Sequence, residues 1–459
     1  MRFFSGDLPM SLRLNFCGGF LLALCACSCP VLLAAERPNI LMIFTDDQGY
    51  HDVGCYGSEI SSPNIDRLAA EGLKLTEFYA ASSICTPSRF GLLTGQFAHR
   101  SQDHLLGALM FLSDRDAERG IHSQEVTYVS RLADAGYQTA LVGKWHLGHG
   151  SKNFWPTKHG FDSFFGHTGG CVDFFTLNYG NQPDWYRGEE LVDTEGYATD
   201  VITAEAVRVL NAHAGSERPL YLHIAYNAPH FGKGYDLQAN STVNVMQPKP
   251  DDLAKVAEIE DPLRRSFAAK VVGMDEGIGR ILQRLDDLKM TKNTLVIFMT
   301  DHGGDPDYGG SNLPLRGGKA TLYEGGLKVP CLIRWPGEIE PGSVSDDVTC
   351  AVDFYPTLLE IAGSDLGKQQ LDGISLVPVF KGGQLPARPP LVFVTGAHQE
   401  LSRKSWQAVR DGKWKWVQPP GKQGQLYNLA TDPNEKHDVA DKYPQIAERL
   451  NILVQQQIQ

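Results

Sequence analysis

The stretch NILMIFTDD, residues 39–47, decides the fold class of this chain. It is a run of apolar residues without alternation, and it ends in two aspartates. A strand that is apolar at successive positions is buried on both faces, which is typical of a parallel sheet covered by helices. We therefore predict that this stretch is a central strand of such a sheet, with Asp46 and Asp47 at its carboxyl end.

Three further apolar runs have the same design and also end in polar residues. They are TALVGKWHLG (139–148) with Lys144 and His146, LYLHIAYNAPH (220–230) with His230, and LVIFMTDHGG (295–304) with Asp301 and His302. Helical spacing is found in SPNIDRLAAEGLKL (62–75), EVTYVSRLADAGYQT (125–139) and RRSFAAKVVGMDEGIGRILQRLDDLKM (264–290). Because ligands of doubly wound sheets bind at the carboxyl ends of the strands, we expect these polar residues to gather on one edge.

Each polar group taken alone has a simple structural explanation. The Asp-Asp pair could form a turn or a helix cap, and a lone histidine could be a buried structural residue. Several such groups on one edge favour a functional site instead. Three carboxylates and an imidazole, without a thiolate cluster, suit a hard divalent cation such as Ca²⁺ or Mg²⁺, of which we expect Ca²⁺. Arg89, Lys144 and Lys319 add positive charge, which suits a tetrahedral oxyanion ester as substrate.

The composition is that of a globular protein with one large and one smaller domain. The chain has 459 residues, of which 42% are hydrophobic and 21% charged, and its formal net charge is −12. This negative charge repels polyanions, which argues against nucleic acid as a partner. An anionic substrate therefore needs a local basic site.

The first 35 residues have the features of a secretory signal. Arg2 and Arg13 precede the apolar run FCGGFLLALCACSCPVLLAA (16–35), which ends in small residues. We therefore expect cleavage after Ala35 and export to the periplasm or the extracellular space. An alternative is a lipoprotein leader, in which Cys27 carries a lipid and tethers the protein. No other stretch of the sequence is long and apolar enough to span a bilayer.

The cysteines leave an odd number outside the leader. Of nine, four lie within the leader, and the remaining five are Cys55, Cys85, Cys171, Cys331 and Cys350. If Cys85 is reserved for chemistry, the other four form either two disulfides or four buried thiols. A chain of this length does not need disulfides for stability, so we favour buried thiols.

The segment around Cys85 resembles the signature of the type I sulfatases. CTPSR (85–89), followed by FGLLTG (90–95), matches the pattern C-x-P-x-R, whose cysteine is oxidised to formylglycine before the chain folds. Other motifs similar to the family's occur in the family order: PNILMIFTDDQG (38–49), GYQTALVGKWHLG (136–148), NAPH (227–230), TDHGG (300–304), LRGGKATLYEGGLKVPCLIRWPG (315–337), WQAVRDGKWKW (406–416) and QLYNLATDPNEKHDVA (425–440).

The resemblance implies the fold of the alkaline phosphatase superfamily. A large, mixed and mostly parallel sheet between helices would form the catalytic domain, residues 36–385. A small antiparallel sheet with a helix would form the C-terminal domain, residues 386–459. The same resemblance implies that Cys85 is converted by a maturation enzyme.

The resemblance also implies a metal site. Asp46, Asp47, Asp301 and His302 match the family's metal ligands, and the modified Cys85 would complete the set. Many members of the family have Asn at the position of His302.

Further roles are implied for the remaining matched residues. Arg89 would orient the modified residue, and Lys144 and Lys319 would hold sulfate oxygens. His146 and His230 would transfer protons. In the implied mechanism, one hydroxyl of the hydrated aldehyde attacks sulfur and expels the alcohol, with His230 and Lys319 on the leaving-group side. The second hydroxyl then loses its proton to His146, and sulfate is released without attack of water on sulfur.

The substrate is less well defined by the sequence. The segments 166–176 and 182–190 are rich in aromatic and polar side chains, which suit a sugar but also occur in core packing. The general pattern resembles sulfatases that act on galactosamine or galactose sulfates, so we expect a sulfated carbohydrate. The residues predicted to bind it are Asp173, Trp185, Lys233, His398 and Arg403.

Two other functions stay open at this point. One is a phosphonate or phosphodiester hydrolase of the same superfamily, in which C-x-P-x-R also occurs. The other is a sulfoglycan-binding protein without activity, in which Cys85 stays unmodified. A two-zinc phosphatase is disfavoured because the sequence shows no second cluster of Asp and His.

Overall fold

The structure is a computed structural model that describes residues 37–396 and 405–458. The predicted leader, Cys27, His398 and Arg403 lie outside the described residues. The described residues form the strands β1 (Asn39–Asp46), β2 (Leu73–Leu75), β3 (Phe78–Tyr79), β4 (Gln138–Lys144), β5 (Ser163–His167), β6 (Asn178–Tyr179), β7 (Gln182–Pro183), β8 (Tyr186–Arg187), β9 (Glu190–Leu191), β10 (Leu220–Pro229), β11 (Gly232–Asp236), β12 (Ser241–Val245), β13 (Thr294–Thr300), β14 (Cys331–Arg334), β15 (Ser343–Ser345), β16 (Thr349–Cys350), β17 (Leu391–Thr395), β18 (Trp406–Asp411), β19 (Trp414–Gln418) and β20 (Gln425–Asn428).

The same residues form α-helices on both sides of the main sheet. These are α1 (Pro63–Ala70), α2 (Cys85–Thr94), α3 (Asp114–Ala117), α4 (Tyr128–Asp134), α5 (Ala198–His213), α6 (Pro250–Ala254), α7 (Pro262–Asp287), α8 (Glu324–Leu327), α9 (Phe354–Ala362), α10 (Val377–Phe380) and α11 (Pro444–Ile458). None of these helices is both long and apolar enough to cross a membrane.

The main sheet has ten strands in the order β15-β2-β14-β13-β1-β10-β4-β5-β8-β9. Its central strands, from β13 to β5, are parallel to their neighbours. Antiparallel pairs flank them on both sides, β14 against β13 and β8 against β5. The register places Met42 of β1 opposite His223 of β10 and Ile297 of β13. The predicted mixed and mostly parallel sheet is confirmed.

Successive residues of β1 pack on opposite faces of this sheet. Met42 and Phe44 belong to a core that includes residues of α2, α4 and α9. Leu41 and Ile43 belong to a second core, which includes residues of α1, α5 and α7. The strand is apolar at every position because helices cover both faces.

The predicted helical segments contain helices, but two of them are shorter than the spacing suggests. Helix α7 covers most of 264–290, and Asp261 caps it by accepting a hydrogen bond from the Arg264 backbone nitrogen. After α4 the chain turns at Gly136, whose φ of +92° suits glycine, and enters β4. After α1 the chain enters β2, so the last residues of 62–75 and of 125–139 belong to strands or to the turns before them.

The C-terminal region is a four-stranded antiparallel sheet, β17 to β20 in chain order. One face packs on the main core through Phe393 and Val417. The other face packs under α11, where Val409 contacts the cluster of Leu450 and Val454. The predicted small sheet with its helix is thus confirmed. From Arg37 onward the chain packs as one compact unit, and the domain boundary at 385/386 stays a prediction.

The five cysteines of the described residues are free thiols. Cys85, Cys171, Cys331 and Cys350 are buried, and Cys55 is half-buried. The preference for thiols over disulfides is therefore confirmed.

Candidate active site

The carboxyl edge of the central strands brings the predicted polar residues together. Asp46 ends β1, Lys144 ends β4, Asp301 directly follows β13 and His230 directly follows β10. Because parallel strands end at the same edge of a sheet, residues far apart in sequence become neighbours there. Cys85 joins them as the first residue of α2.

Side-chain donors of this cluster are close enough to share one cation. Ligand atoms within 4.8 Å of one another form two overlapping groups: Asp46, Cys85, Asp301 and His302, and Asp46, Asp47, Cys85 and His230. The Cys85 Sγ lies 3.2 Å from His302 Nε2 and 3.5 Å from Asp46 Oδ1. His302 Nδ1 donates to the Gly303 carbonyl at 2.9 Å, which leaves Nε2 to face the cluster. Carboxylates with one imidazole nitrogen fit a divalent cation.

Each of the three carboxylates also has its own cation. Lys144 Nζ donates to Asp46 Oδ2 at 2.5 Å. Lys319 Nζ lies 2.7 and 2.8 Å from the two carboxylate oxygens of Asp47. The third pair joins Arg89 Nη2 to Asp301 Oδ2 at 3.2 Å. This pairing is what buried carboxylates require, because an unpaired buried charge is very unfavourable.

Burial and neighbouring charges set the pKa values of the first two carboxyls. Burial by itself raises the pKa of Asp46, but Lys144 and other nearby cations outweigh it and hold the pKa well below its ordinary value. The pKa of Asp47 is also lowered: burial raises it, but the positive charge of Lys319 and other neighbours outweighs burial. Both side chains are therefore ionised at neutral pH.

The other pair of ligand candidates behaves differently. Burial, reinforced by the charge of Asp46, raises the pKa of Asp301 well above its ordinary value. Burial lowers the pKa of His302, but Asp301 and Cys85 outweigh it and raise this pKa to about 10. A cation bound here would compete with protons for the Asp301 oxygens and for His302 Nε2.

The two candidate proton-transfer histidines are buried and are held through opposite ring nitrogens. His146 Nε2 donates to the Leu109 carbonyl at 2.9 Å, and its Nδ1 has no hydrogen-bond partner within the described part of the chain. His230 Nδ1 donates to the Phe231 carbonyl at 2.8 Å, and its Nε2 lies 3.6 Å from Asp47 Oδ2. A carbonyl can only accept, so these contacts fix the neutral tautomers.

Burial keeps both histidines neutral. Burial and the charge of Lys144 lower the pKa of His146 well below its ordinary value. Burial lowers the pKa of His230 to about 3, although the charge of Asp47 opposes the shift. A neutral His146 with an unpartnered Nδ1 has the form of a base.

Backbone strain at the site is invisible in the sequence. Asp47, His146 and Ala320, which follows Lys319, have φ values of +64°, +60° and +64°. Residues other than glycine rarely adopt this left-handed conformation, and it concentrates at functional sites. Each of the three directs a side chain, its own or its neighbour's, into the cluster.

Two of the residues predicted to bind sugar have structural contacts instead. Asp173 accepts hydrogen bonds from the backbone nitrogens of Phe175 and Thr176 at 2.9 Å each and from Gln247 Nε2 at 2.6 Å. Trp185 is only 2% exposed and stacks on His167 with ring centroids 5.7 Å apart. Asp173 therefore organises its own loop, and the Trp185 ring has no open face for a sugar.

Lys233 is better placed to meet a ligand. It lies on β11, three residues after His230, is half-buried, and donates from Nζ to Asn244 Oδ1 at 2.8 Å. His398 and Arg403 belong to residues 397–404, outside the described part of the chain.

Sequence reasoning missed Lys270 of α7. This side chain is 2% exposed, donates from Nζ to the backbone carbonyl of His230, and lies 3.4 Å from the centroid of the Phe174 ring. The available signal was its helical position, because Lys270 falls on the apolar stripe with Phe267 and Met274. A lysine at such a position is rarely buried unless a partner holds it.

Comparison with known proteins agrees with this geometry. The Sulfatase family profile matches residues 38–364, and the profile of the N-sulphoglucosamine sulphohydrolase C-terminal region matches residues 318–459. The chain is 34% identical to human (Homo sapiens) arylsulfatase A over 84% of this chain and 75% of that protein. It is 32% identical to N-acetylgalactosamine-6-sulfatase of Canis lupus familiaris, over 95% of this chain and 88% of that protein.

A solved structure of similar extent has the same fold. The crystal structure of Ps i-CgsB in complex with k-i-k-neocarrahexaose superposes with a TM-score of 0.81 at 30% identity, and covers 92% of this chain and 93% of that one. The family match spans the strands that carry the cluster, and the relatives match almost the whole chain. The chain therefore belongs to the sulfatase family and is a sulfuric ester hydrolase.

Proposed function

We propose that this sulfatase removes sulfate from sulfated carbohydrates, with Cys85 converted to formylglycine and a Ca²⁺ ion beside it. The observation that carries the proposal is the buried cluster in which Cys85 Sγ lies within 3.5 Å of both Asp46 and His302. The cluster offers a nucleophile position, ligands for a cation and two lysines for an oxyanion.

The donor set supports a hard divalent cation, with Mg²⁺ as the alternative to Ca²⁺. Asp46, Asp47, Asp301 and His302 would hold it. When bound, such a cation supplies positive charge that acidifies a neighbouring hydroxyl and neutralises the ester. Asp46 and Asp47 are now neutralised by Lys144 and Lys319. A cation would take over that role, so the lysine nitrogens could turn to sulfate oxygens.

The position of Cys85 supports modification before folding. Every residue of α2, including Cys85 to Arg89, is buried, so a maturation enzyme has no access to this segment in the folded protein. Burial raises the pKa of the Cys85 thiol, but Lys144 and other cations outweigh it and lower the pKa. Formylglycine supplies, as its hydrate, one hydroxyl to attack sulfur and a second to release the sulfate. Arg89, bonded to Asp301 and to the Lys144 carbonyl, holds the first turn of the helix against the cluster.

The roles of His146 and His230 in proton transfer follow from the ring nitrogen that each leaves available. His146 presents an unpartnered Nδ1 and is neutral, so it can accept a proton. Its backbone carbonyl accepts a hydrogen bond from Thr86, the residue after Cys85, at 3.0 Å. His230 is also neutral, so it must take up a proton before it can protonate a leaving group. An anionic ester beside its Nε2 favours that uptake, because a nearby negative charge raises the pKa of an imidazole.

A half-open wall beside His230 supports a sugar as the leaving group. The ring of Phe231 lies 3.9 Å from that of His230, and Tyr308 packs 4.4 Å beyond it. Asn244 Nδ2 donates to the Tyr308 hydroxyl at 2.8 Å, and Lys233 donates to Asn244 at 2.8 Å. Aromatic faces with a few polar groups are typical of ligand sites, and Lys233 offers a positive charge for a second anionic group.

The relatives also support a sugar substrate. One is named N-acetylgalactosamine-6-sulfatase, and the solved structure of Ps i-CgsB holds k-i-k-neocarrahexaose. We propose that this chain likewise acts on a sulfated sugar. From the leader sequence we also propose that the enzyme is exported to the periplasm or the extracellular space, with lipidation of Cys27 as the alternative.

Peptide mass spectrometry of the purified protein tests the proposal. The peptide with Cys85 should show the mass decrease that follows replacement of the thiol sulfur by an aldehyde oxygen. The peptide with Cys350, a buried thiol remote from the motif, is the matched control and should keep its thiol mass. An unmodified Cys85 in active enzyme would contradict the proposal. Faster turnover of an aryl phosphodiester than of the matching aryl sulfate would favour the phosphodiesterase alternative.

A further inference from the structure

Lys270 is a buried lysine for which the proposed reaction has no direct use. Within residues 37–396 and 405–458 its nitrogen makes no salt bridge with a carboxylate, although the side chain is only 2% exposed. It instead donates to the His230 carbonyl and lies over the Phe174 ring. Burying a lysine without an ionic partner is unfavourable, so the position calls for an explanation.

The ring on the other side of Lys270 is itself fixed. The Phe174 backbone nitrogen donates to Gln247 Oε1 at 3.0 Å, and Gln247 Nε2 donates to Asp173 at 2.6 Å. The Phe174 ring also packs on Tyr197, with centroids 5.3 Å apart. Lys270 therefore lies between an aromatic ring that packs on Tyr197 and the peptide that carries His230.

The peptide position decides where the His230 imidazole lies. The Nδ1 of this ring donates to the next carbonyl, that of Phe231, so ring and backbone are linked over a single residue. Any shift of the His230 carbonyl therefore moves Nε2, the nitrogen proposed to serve the leaving group. A displacement of about 1 Å in a reacting group can cost up to about 10²-fold in rate.

We propose that Lys270, supported by Phe174, is a positioning residue that holds His230 in place for proton transfer to the leaving group. This rests on the acid role proposed for His230. Burial lowers the pKa of Lys270 well below its ordinary value, against the charges of Asp47 and Asp46. The contact does not depend on that proton, because an ammonium and a neutral amine both donate N–H groups.

The test compares Lys270→Met with the wild type on two aryl sulfates. Methionine keeps the length of the side chain but removes the donor. The kcat/KM for phenyl sulfate, whose leaving group is basic, should fall about tenfold or more, whereas 4-nitrophenyl sulfate should lose less than about twofold. Lys255→Met is the matched control, because Lys255 pairs with Asp252 and Glu276 instead of His230. Equal losses on both substrates in Lys270→Met would overturn the proposal.

A double-mutant cycle separates this proposal from the acid role of His230. If Lys270 acts through His230, Lys270→Met should have almost no further effect on phenyl sulfate in a His230→Ala background. A full additional loss there would overturn the proposal. If His230→Ala itself loses kcat/KM equally on both substrates, the acid role of His230 is wrong. The double-mutant cycle then still decides whether Lys270 acts through His230.

A second variant covers the case in which Lys270→Met does not fold, which thermal unfolding would reveal. Phe174→Leu leaves the lysine in place but removes the ring face that supports it. The same selective loss on phenyl sulfate, by a smaller factor, would support the proposal. An unchanged substrate ratio in a folded Phe174→Leu enzyme would overturn the role of Phe174 and Lys270 as a pair.

Discussion

The two histidines of the site lie on sides that are built differently. The proposed base side consists of Lys144, which ends β4, and His146, which follows it. The His146 backbone nitrogen donates to the Thr168 carbonyl at 3.2 Å, and the His146 carbonyl accepts from the Thr86 hydroxyl at 3.0 Å. The proposed acid side consists of His230 with Lys319. There, Lys319 belongs to the same segment as Glu324, and the C-terminal region holds this segment through contacts of Glu324 with Lys415 and Glu435, which we call the clamp.

That clamp is a buried ionic cluster. Glu324, in the segment that carries Lys319, pairs with Lys415 of β19 at 2.8 Å. Glu435 lies 3.0 Å from the same lysine and accepts a hydrogen bond from the Glu324 backbone nitrogen at 2.6 Å. The base side has its support within the main sheet, whereas the acid side depends partly on the small domain.

Burial alone does not decide what each of these two histidines can do. His146 and His230 are 3% and 5% exposed, and both are neutral. Their carbonyl partners hold opposite nitrogens, so one presents an unpartnered Nδ1 and the other presents Nε2 beside Asp47. A free lone pair suits a base, and a nitrogen that gains a proton when an anion binds suits an acid.

The largest effect should come from the loss of the modified Cys85, which both sides of the site serve. Cys85→Ser should fold normally, because serine is close to cysteine in size, but steady-state turnover should fall on the order of 10³-fold or more on every substrate. A serine lacks the second hydroxyl that releases sulfate. Multiple-turnover assays on phenyl and 4-nitrophenyl sulfate check this. Sustained turnover by Cys85→Ser would contradict the role of the modified residue.

Removal of the divalent cation should come next and should also affect both sides. We expect chelation to lower kcat/KM at least about 10²-fold for both aryl sulfates, with recovery on addition of Ca²⁺. Asp301→Ala should stay inactive even with Ca²⁺ present, because it removes a ligand. The measurement is activity during a chelation and Ca²⁺ titration. Full activity of the chelated enzyme would show that the cluster is not a metal site.

The smallest expected effect concerns the clamp on the acid side. Burial raises the pKa of Glu435 to about 7, from an ordinary value of 4.5, although Lys415 opposes the shift. A carboxyl with a raised pKa contributes stability that is fully present below pH 4.5 and is lost as pH rises through 7. Glu435→Gln mimics the protonated form. Between pH 5 and 8 the wild type should therefore lose a few degrees of Tm more than this variant, on the order expected for a small free-energy change.

Thermal unfolding of both proteins at the two pH values checks this prediction. Asp438→Asn, a change in the same region but outside the buried ionic cluster, is the control and should keep the wild-type slope. Equal slopes for the wild type and Glu435→Gln would show that this carboxyl does not hold a proton in the folded state.

The positions of the site residues could be predicted where strand ends determine them. Asp46, Lys144 and Asp301 follow apolar runs, and the carboxyl ends of parallel strands must meet. The roles of Trp185 and Lys270 could not be predicted, because burial depends on what packs against a side chain from distant elements. An aromatic residue in a loop looks free to bind a sugar, and a helical lysine looks exposed.

The backbone conformation at the site could not be predicted from the sequence either. Asp and His adopt the left-handed conformation more often than most residues other than glycine, but it is uncommon even for them, so local propensity does not mark Asp47 and His146. Tertiary contacts impose it at the strand ends. The choice of ring nitrogen in each histidine also comes from a carbonyl partner, Leu109 or Phe231, that no sequence pattern identifies.

We propose that the two sides divide the proton transfers between them. The most direct test measures kcat/KM for phenyl sulfate and 4-nitrophenyl sulfate in wild type, His230→Ala and His146→Ala. We expect His230→Ala to lose about 10²-fold or more on phenyl sulfate and much less on 4-nitrophenyl sulfate, whose leaving group needs little protonation. In His146→Ala, kcat/KM should fall by the same factor on both substrates. Equal losses in His230→Ala, or a selective loss in His146→Ala, would contradict the division.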